Sequence, residues 1–145
     1  MLYSKHITFL AGKTEETLTR LTFKINQGII YRAWLVFPSG CSGLVKIRVY
    51  HEEHPIIPEN KTDYVKGNDY VFEIPIYLEV EDEPYTVTFE GWNEDETYNH
   101  TITLMLLVLP KSFVLPVGAT EGIMESLKSL IIRPIIMQQK TASEV

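Results

Sequence analysis

The stretch YVFEIPIYLEV, residues 70–80, alternates apolar side chains with others along its whole length. Tyr70, Phe72, Ile74, Ile76, Leu78 and Val80 fall on one side of an extended chain, with Glu73 and Glu79 on the other. A period of two belongs to a pleated strand, whereas a helix returns to the same face only about every 3.6 residues. One dry face and one wet face is the pattern of an antiparallel sheet packed against a single core. Pro75 has no N–H to give to a ladder, which places it at a sheet edge or a bulge.

The same alternation recurs outward from this segment. TRLTFKI (19–25), LVKIRVY (44–50) and YTVTFEGW (85–92) each read as a strand with one buried face, and KHITFL (5–10) adds another. GIIYRAWLVF (28–37) and TITLMLLVLP (101–110) differ, being apolar at nearly every position. Such strands are expected to be central, covered on both faces, or facing a partner subunit. Trp34, in the more apolar setting, is expected in the core. PSGCSG (38–43), KGND (66–69) and EDEP (81–84) supply turn residues between the runs. No helix-period segment intervenes, which disfavours parallel crossovers. Residues 1–110 therefore read as all-β, a two-layer antiparallel β-sandwich of jelly-roll or immunoglobulin-like type. GWNEDETYNHTI (91–102) reads as the turn of an antiparallel hairpin, with Asn93, Asp95 and Asn99 as turn-holding side chains. HEEHPIIPEN (51–60) is too apolar for a free loop. Ile56 and Ile57 are expected to cap one end of the sandwich or to touch another subunit.

After Pro110 the pattern changes. Residues 111–145 read as an apolar C-terminal arm with one short helix, about 120–132, and a polar tail. Thr120 suits an N-cap, Glu121 suits the first turn, and Ile123, Leu127, Leu130 and Ile131 share a face at helical spacing. A helix this short, with Gly122 inside it, needs docking for stability. Burying each large apolar side chain is worth roughly 1.5–3 kcal/mol, so an arm this apolar is an aggregation liability unless it lies on something. Phe113, Leu115, Ile123, Leu127, Leu130 and Ile131 are the expected partner-binding residues.

Composition narrows the function classes. The 145 residues suffice for one domain, and 45% apolar with 22% charged is ordinary globular usage. The net charge is −6 and Lys and Arg are scattered singly, which argues against a nucleic-acid partner. The N-terminus lacks the pattern of a signal peptide, and no run is long enough to span a membrane. The protein is thus expected to be made in the cytoplasm, and Asn60 and Asn99 match the glycosylation sequon by chance. Cys41, the one cysteine, reads as a small turn residue. The acidic segments 79–84 and 93–96 lack calcium-loop spacing and flank a single strand, so they fall at opposite ends of the sandwich. His51 and His54 make a pair without further ligands, and His6 and His100 stand alone; no metal or cofactor is expected. No nucleophile elbow, phosphate loop or zinc-protease helix occurs, and the chain reads as a non-enzyme with no catalytic residues.

FPSGCSGLVKIRV (37–49) followed by NEDETYNHTITL (93–104), on a sandwich with an apolar arm, resembles small structural proteins of virus and phage particles. Head-decoration, neck and spike proteins are of this kind. The resemblance implies a virion component, made in the host cytoplasm. It would bind itself, with a trimer as one arrangement, or a capsid or other virion protein. It assigns no functional residue. The alternative is a carbohydrate-binding β-sandwich module using exposed aromatics, for which Trp92 is the candidate ligand platform.

Overall fold

The seven alternating and apolar runs become strands, and an eighth strand forms in the stretch 51–60 read as a capping loop. They are β1 (Leu2–Phe9), β2 (Thr19–Lys24), β3 (Gly28–Phe37), β4 (Val45–His51), β5 (His54–Ile57), β6 (Tyr70–Val80), β7 (Thr86–Asn93) and β8 (His100–Leu109). This computed structural model describes residues 1–113. Leu115, Ile123, Leu127, Leu130, Ile131 and the helix expected at about 120–132 lie outside the described residues. Met1–Lys111 make up one compact unit, and the rest of the chain belongs to a second.

The strands form two antiparallel four-stranded sheets, in the orders β1-β8-β3-β6 and β2-β7-β4-β5. First pairs with last, second with seventh, third with sixth and fourth with fifth. That is one long hairpin wound into two layers, closed by the β3–β8 and β4–β7 ladders. It is the jelly-roll form of the sandwich. Between the layers lies a core that includes Phe9, Ile30, Leu35, Ile47, Val49, Phe89, Ile102, Leu104 and Leu106, all at or near zero exposure. Phe9 and Phe89 meet edge to face at 5.9 Å, joining the two sheets.

The segment 70–80 behaves as its alternation requires. Phe72, Ile74, Ile76, Leu78 and Val80 pack on or into the core, while Tyr70 turns out to solvent. β6 is an edge strand. Ile30 pairs with Leu78 but Arg32 pairs with Pro75, so Tyr31 faces two residues, Ile76 and Tyr77. Pro75 therefore sits both at an edge and beside a bulge, and Tyr77 takes a positive φ of 58° there.

Three expectations are corrected. The β7–β8 connection is no hairpin, because β7 lies in one sheet and β8 in the other; residues 94–99 cross between layers. Ile56 and Ile57 do not cap an end: they form β5 against β4, and both are buried in the core. Trp34 is not in the core. Its neighbours Ala33 and Leu35 point inward, so alternation turns the indole to the outer face.

Within the second sheet, β4 approaches closely at Gly91 of β7. A methyl there would run into the Lys46 carbonyl oxygen and come within 2.7 Å of Ile47 Cδ1. Gly91→Ala is expected to lower stability by about 1–3 kcal/mol, the cost of forcing a well-packed interior apart. Urea unfolding should show a lower midpoint with an unchanged slope.

Candidate functional site

Ladder register lines the outward side chains of the first sheet into rows across its strands. Leu2, Leu107, Arg32 and Pro75 form one row, and Ser4, Met105, Trp34 and Glu73 the next. His6, Thr103, Val36 and Val71 follow, then Thr8 and Thr101. On the other side of the first row lie Leu109, Ile29 and Glu79, with the bulge tyrosines Tyr31 and Tyr77 between, their rings crossing at 4.9 Å.

These rows are graded. At the β1–β8 corner furthest from Leu109 the face is polar: His6 Nδ1 and Thr103 Oγ1 are 2.8 Å apart, as are the Thr8 and Thr101 hydroxyls. Toward Leu109 it is apolar, built from Leu2, Leu107, Met105, Trp34 and the two tyrosines. The charges within it are Arg32 and Glu73, which pair with each other, and Glu79, which pairs with Lys111; the Arg32 guanidinium lies 5.7 Å from the Tyr31 ring centroid. Trp34, Met105, Leu107 and Leu109 are half-buried on this side, and Ile29, beside the Lys111–Glu79 pair, is buried. Leu2 is 60% exposed and Tyr77 likewise 60%. The two runs expected to be central, doubly covered or partner-facing are β8 and β3, side by side in the middle of this sheet, with one face in the core and the other half-buried.

The second sheet treats its outer face differently. Glu90, 3% exposed, accepts hydrogen bonds through Oε2 from Arg20, with Nε at 2.8 Å, and lies 3.3 Å from Arg48 Nε through Oε1. Arg48 donates to Glu15 at 2.9 Å and lies 5.0 Å from the Trp92 ring centroid. Trp92 donates its indole N–H to Glu94 at 3.0 Å and meets Tyr64 edge to face. Lys46 donates to the Gly43 carbonyl at 2.6 Å and reaches the Tyr64 ring. The charges are spent on one another. An open groove of about 520 Å³ beside them is lined by side chains of both signs, among them Arg20, Lys61, Glu52 and Glu53.

No family model, curated protein or solved structure matches this chain. The reading of the site therefore rests on its own geometry.

Trp92 is corrected as a ligand platform. It is 3% exposed, held between Arg48 and Tyr64, and offers no ring face to a sugar. The aromatic pairs among the described residues cross at 65° to 78°, so none presents two coplanar rings. Phe113, the one expected partner-binding residue that is described, is 76% exposed.

The fold brings Cys41, Asp95 and His100 to one end of the sandwich, a constellation with the residue types of a thiol enzyme. Its chemistry runs the other way. Cys41 is fully buried, and burial first, then the Asp95 charge, push its thiol above the usual value. Asp95 instead ties the inter-sheet crossing: its Oδ1 accepts the N–H groups of Thr97 at 2.9 Å and Tyr98 at 3.2 Å, and Oδ2 lies 2.8 Å from His100 Nε2. Fully buried Asn93 adds bonds to the Phe9 and Tyr98 carbonyls, stitching the first strand to the crossing. The acidic stretches 79–84 and 93–96 lie at opposite ends of β7, and among the described residues no cluster of three metal-ligating side chains occurs.

Two outcomes follow from these networks. Glu90→Gln leaves the Arg48 charge buried beside a neutral amide and should cost about 3 kcal/mol in urea unfolding. The Asp95 carboxyl is held below its usual value, mainly by the Thr97 N–H, then His100, then the Tyr98 N–H. A lowered folded value contributes stability that is present above the unfolded value, about 3.9, and is lost as pH falls through the folded one. The wild-type advantage over Asp95→Asn should therefore be full at pH 7 and shrink progressively below about pH 4. A pH-independent difference would contradict this.

Proposed function

We propose that this chain is a non-enzymatic structural protein, an assembly component of a virus or phage particle, made in the host cytoplasm. It associates through the outer face of its first sheet and through its C-terminal arm, with itself as partner, a trimer being one arrangement, or with another virion protein. The observation that carries this reading is the face itself: two adjacent central strands, β3 and β8, apolar on the side away from the core. Open apolar patches of this continuity are a feature of association surfaces. Jelly-roll domains serve as capsid building blocks, which fits the reading without establishing it. Ile123, Leu127, Leu130 and Ile131, apolar at helical spacing in the sequence of the arm, fit the same reading.

A sugar-binding role finds less support, since Trp92 is enclosed. Catalysis finds less as well, since the Cys41 thiol is buried and raised in pKa.

Light scattering tests the reading. The intact protein should have a mass that is a multiple of the 16.7 kDa chain. Met105→Glu sets a charge among Trp34, Leu107 and Ser4, and should weaken association at least a hundredfold, an effect of about 3 kcal/mol, while leaving the circular dichroism spectrum unchanged. An intact protein that stays at the chain mass over the whole concentration range would sink self-association as the mode of assembly. So would a Met105→Glu protein that associates like the wild type.

A further inference from the structure

We infer that the open groove on the outer face of the second sheet is a binding site for an uncharged, hydroxyl-rich ligand, a short oligosaccharide. It lies on the other layer from the apolar face, so it stands independently of the assembly reading. It is also a different place from Trp92, whose ring is enclosed.

The register of the strands builds its floor. Outward residues fall in rows across β4, β7 and β2: Lys46 beside Trp92, then Arg48, Glu90 and Arg20, then Tyr50, Thr88 and Thr22. Glu94, Tyr64 and Glu15 reach over the first two rows. The third row lines the groove, together with Arg20 and Glu90 of the row beside it. Glu52 and Glu53, from the turn after β4, and Lys61, which follows β5, supply its rim. Its volume of about 520 Å³ lies within the roughly 300–1,000 Å³ of ordinary ligand sites.

The polar groups around this floor decide what fits it. Arg20 is fixed on Glu90, with Nε at 2.8 Å and a terminal nitrogen at 2.7 Å, yet 59% of its side chain stays exposed. It is a donor held in place on a strand before any ligand arrives. The Thr22 and Thr88 hydroxyls are 3.0 Å apart; one donates to the other, and the second keeps its hydrogen for a ligand. Glu52, Glu53 and Lys61 are exposed, and among the described residues they join no ion pair. Groups that only donate, groups that only accept and hydroxyls that do both therefore surround one surface. A phosphate would face the carboxylates, and a cation would face Arg20 and Lys61. A ligand that satisfies the whole set donates and accepts at several points while carrying no charge. Neighbouring hydroxyls on a sugar ring do this, and the half-buried Tyr50 ring offers an apolar surface to the C–H groups between them.

The test uses the full-length chain on an array of neutral oligosaccharides, followed by calorimetric titration with the best-bound sugar. One sugar per chain should bind, with an affinity that does not change between low and high salt, because no net charge is neutralised. Thr88→Val keeps the shape of the side chain and removes its hydroxyl, and should weaken binding roughly tenfold, the worth of one hydrogen bond. Tyr50→Ala should weaken it at least as much by removing the ring. Thr88→Val carries the result alone if Tyr50→Ala fails to fold by circular dichroism. Three results overturn the inference. The first is an array on which no neutral sugar binds. The second is a sugar that Thr88→Val binds as tightly as the wild type does, which puts its site elsewhere. The third is a trilysine peptide that binds more tightly than any sugar and is released by salt, which makes the glutamates, not the hydroxyls, the basis of recognition. None of these bears on whether the first sheet associates.

Discussion

A β-strand has two faces, and the organisation of this protein follows from where β3 and β8 put theirs. Both strands are apolar at nearly every position, and the ladders set them side by side in the middle of one sheet. Their inward residues, Ile30, Ala33 and Leu35 with Ile102, Leu104 and Leu106, belong to the inter-sheet core. Large inward groups at these positions are worth roughly 1.5–3 kcal/mol each on burial. The outward residues cannot be folded into the same core, because alternation forbids it. Trp34, Met105 and Leu107 are left on the outer face, where they are half-buried.

The two sheets meet the same difficulty with opposite chemistry. On the second, Lys46, Arg48, Glu90 and Arg20 stand where the first has Leu107, Met105 and Trp34, and Glu15, Glu94 and Tyr64 fold over them. That surface is closed by its own chain, at the desolvation cost that buried ion pairs carry. The first sheet has no such cover among the described residues. The asymmetry between a self-satisfied charged face and an open apolar one is what makes the first sheet the place to look for a partner. The rest of the molecule supports this platform. Asn93 and Asp95 lock the crossing between layers, and the Pro75–Tyr77 irregularity blunts the β6 edge, where a straight strand would invite unwanted pairing.

Much of the fold could be read locally. Alternation in 19–25, 44–50, 70–80 and 85–92 marked strands because one dry face is a property of each segment by itself. Pro75 announced its edge and bulge for the same reason. Pairing was not legible. Nothing near residue 93 says that β8 will cross to the other layer and pair with β1 and β3, so the crossing looked like a hairpin. Trp34 looked like core because composition does not say which of a strand's faces will be covered, and Ile56 and Ile57 looked like a cap because a four-residue strand is too short to show a period. The Arg48–Glu90–Arg20 network left one trace in the sequence. Basic residues alternate at 46 and 48, and Glu90 sits at the matching outward position of another strand, but only the β4–β7 and β2–β7 registers bring them together. Trp92 was singled out for its ring and turned out to be enclosed by that network. The open face was foreshadowed by the two runs that showed no alternation, and its graded rows needed the register.

The central claim is that the outward side chains of β3 and β8 are covered when the protein is assembled. Hydroxyl-radical footprinting of Met105 and Trp34 in the intact protein, followed across a dilution series, measures that cover directly. Both side chains should be protected at high concentration and become reactive together as the protein dissociates, while Tyr98, 68% exposed at the far end of the sandwich, reacts equally throughout. Reactivity of Met105 and Trp34 that is high and independent of concentration would contradict the account.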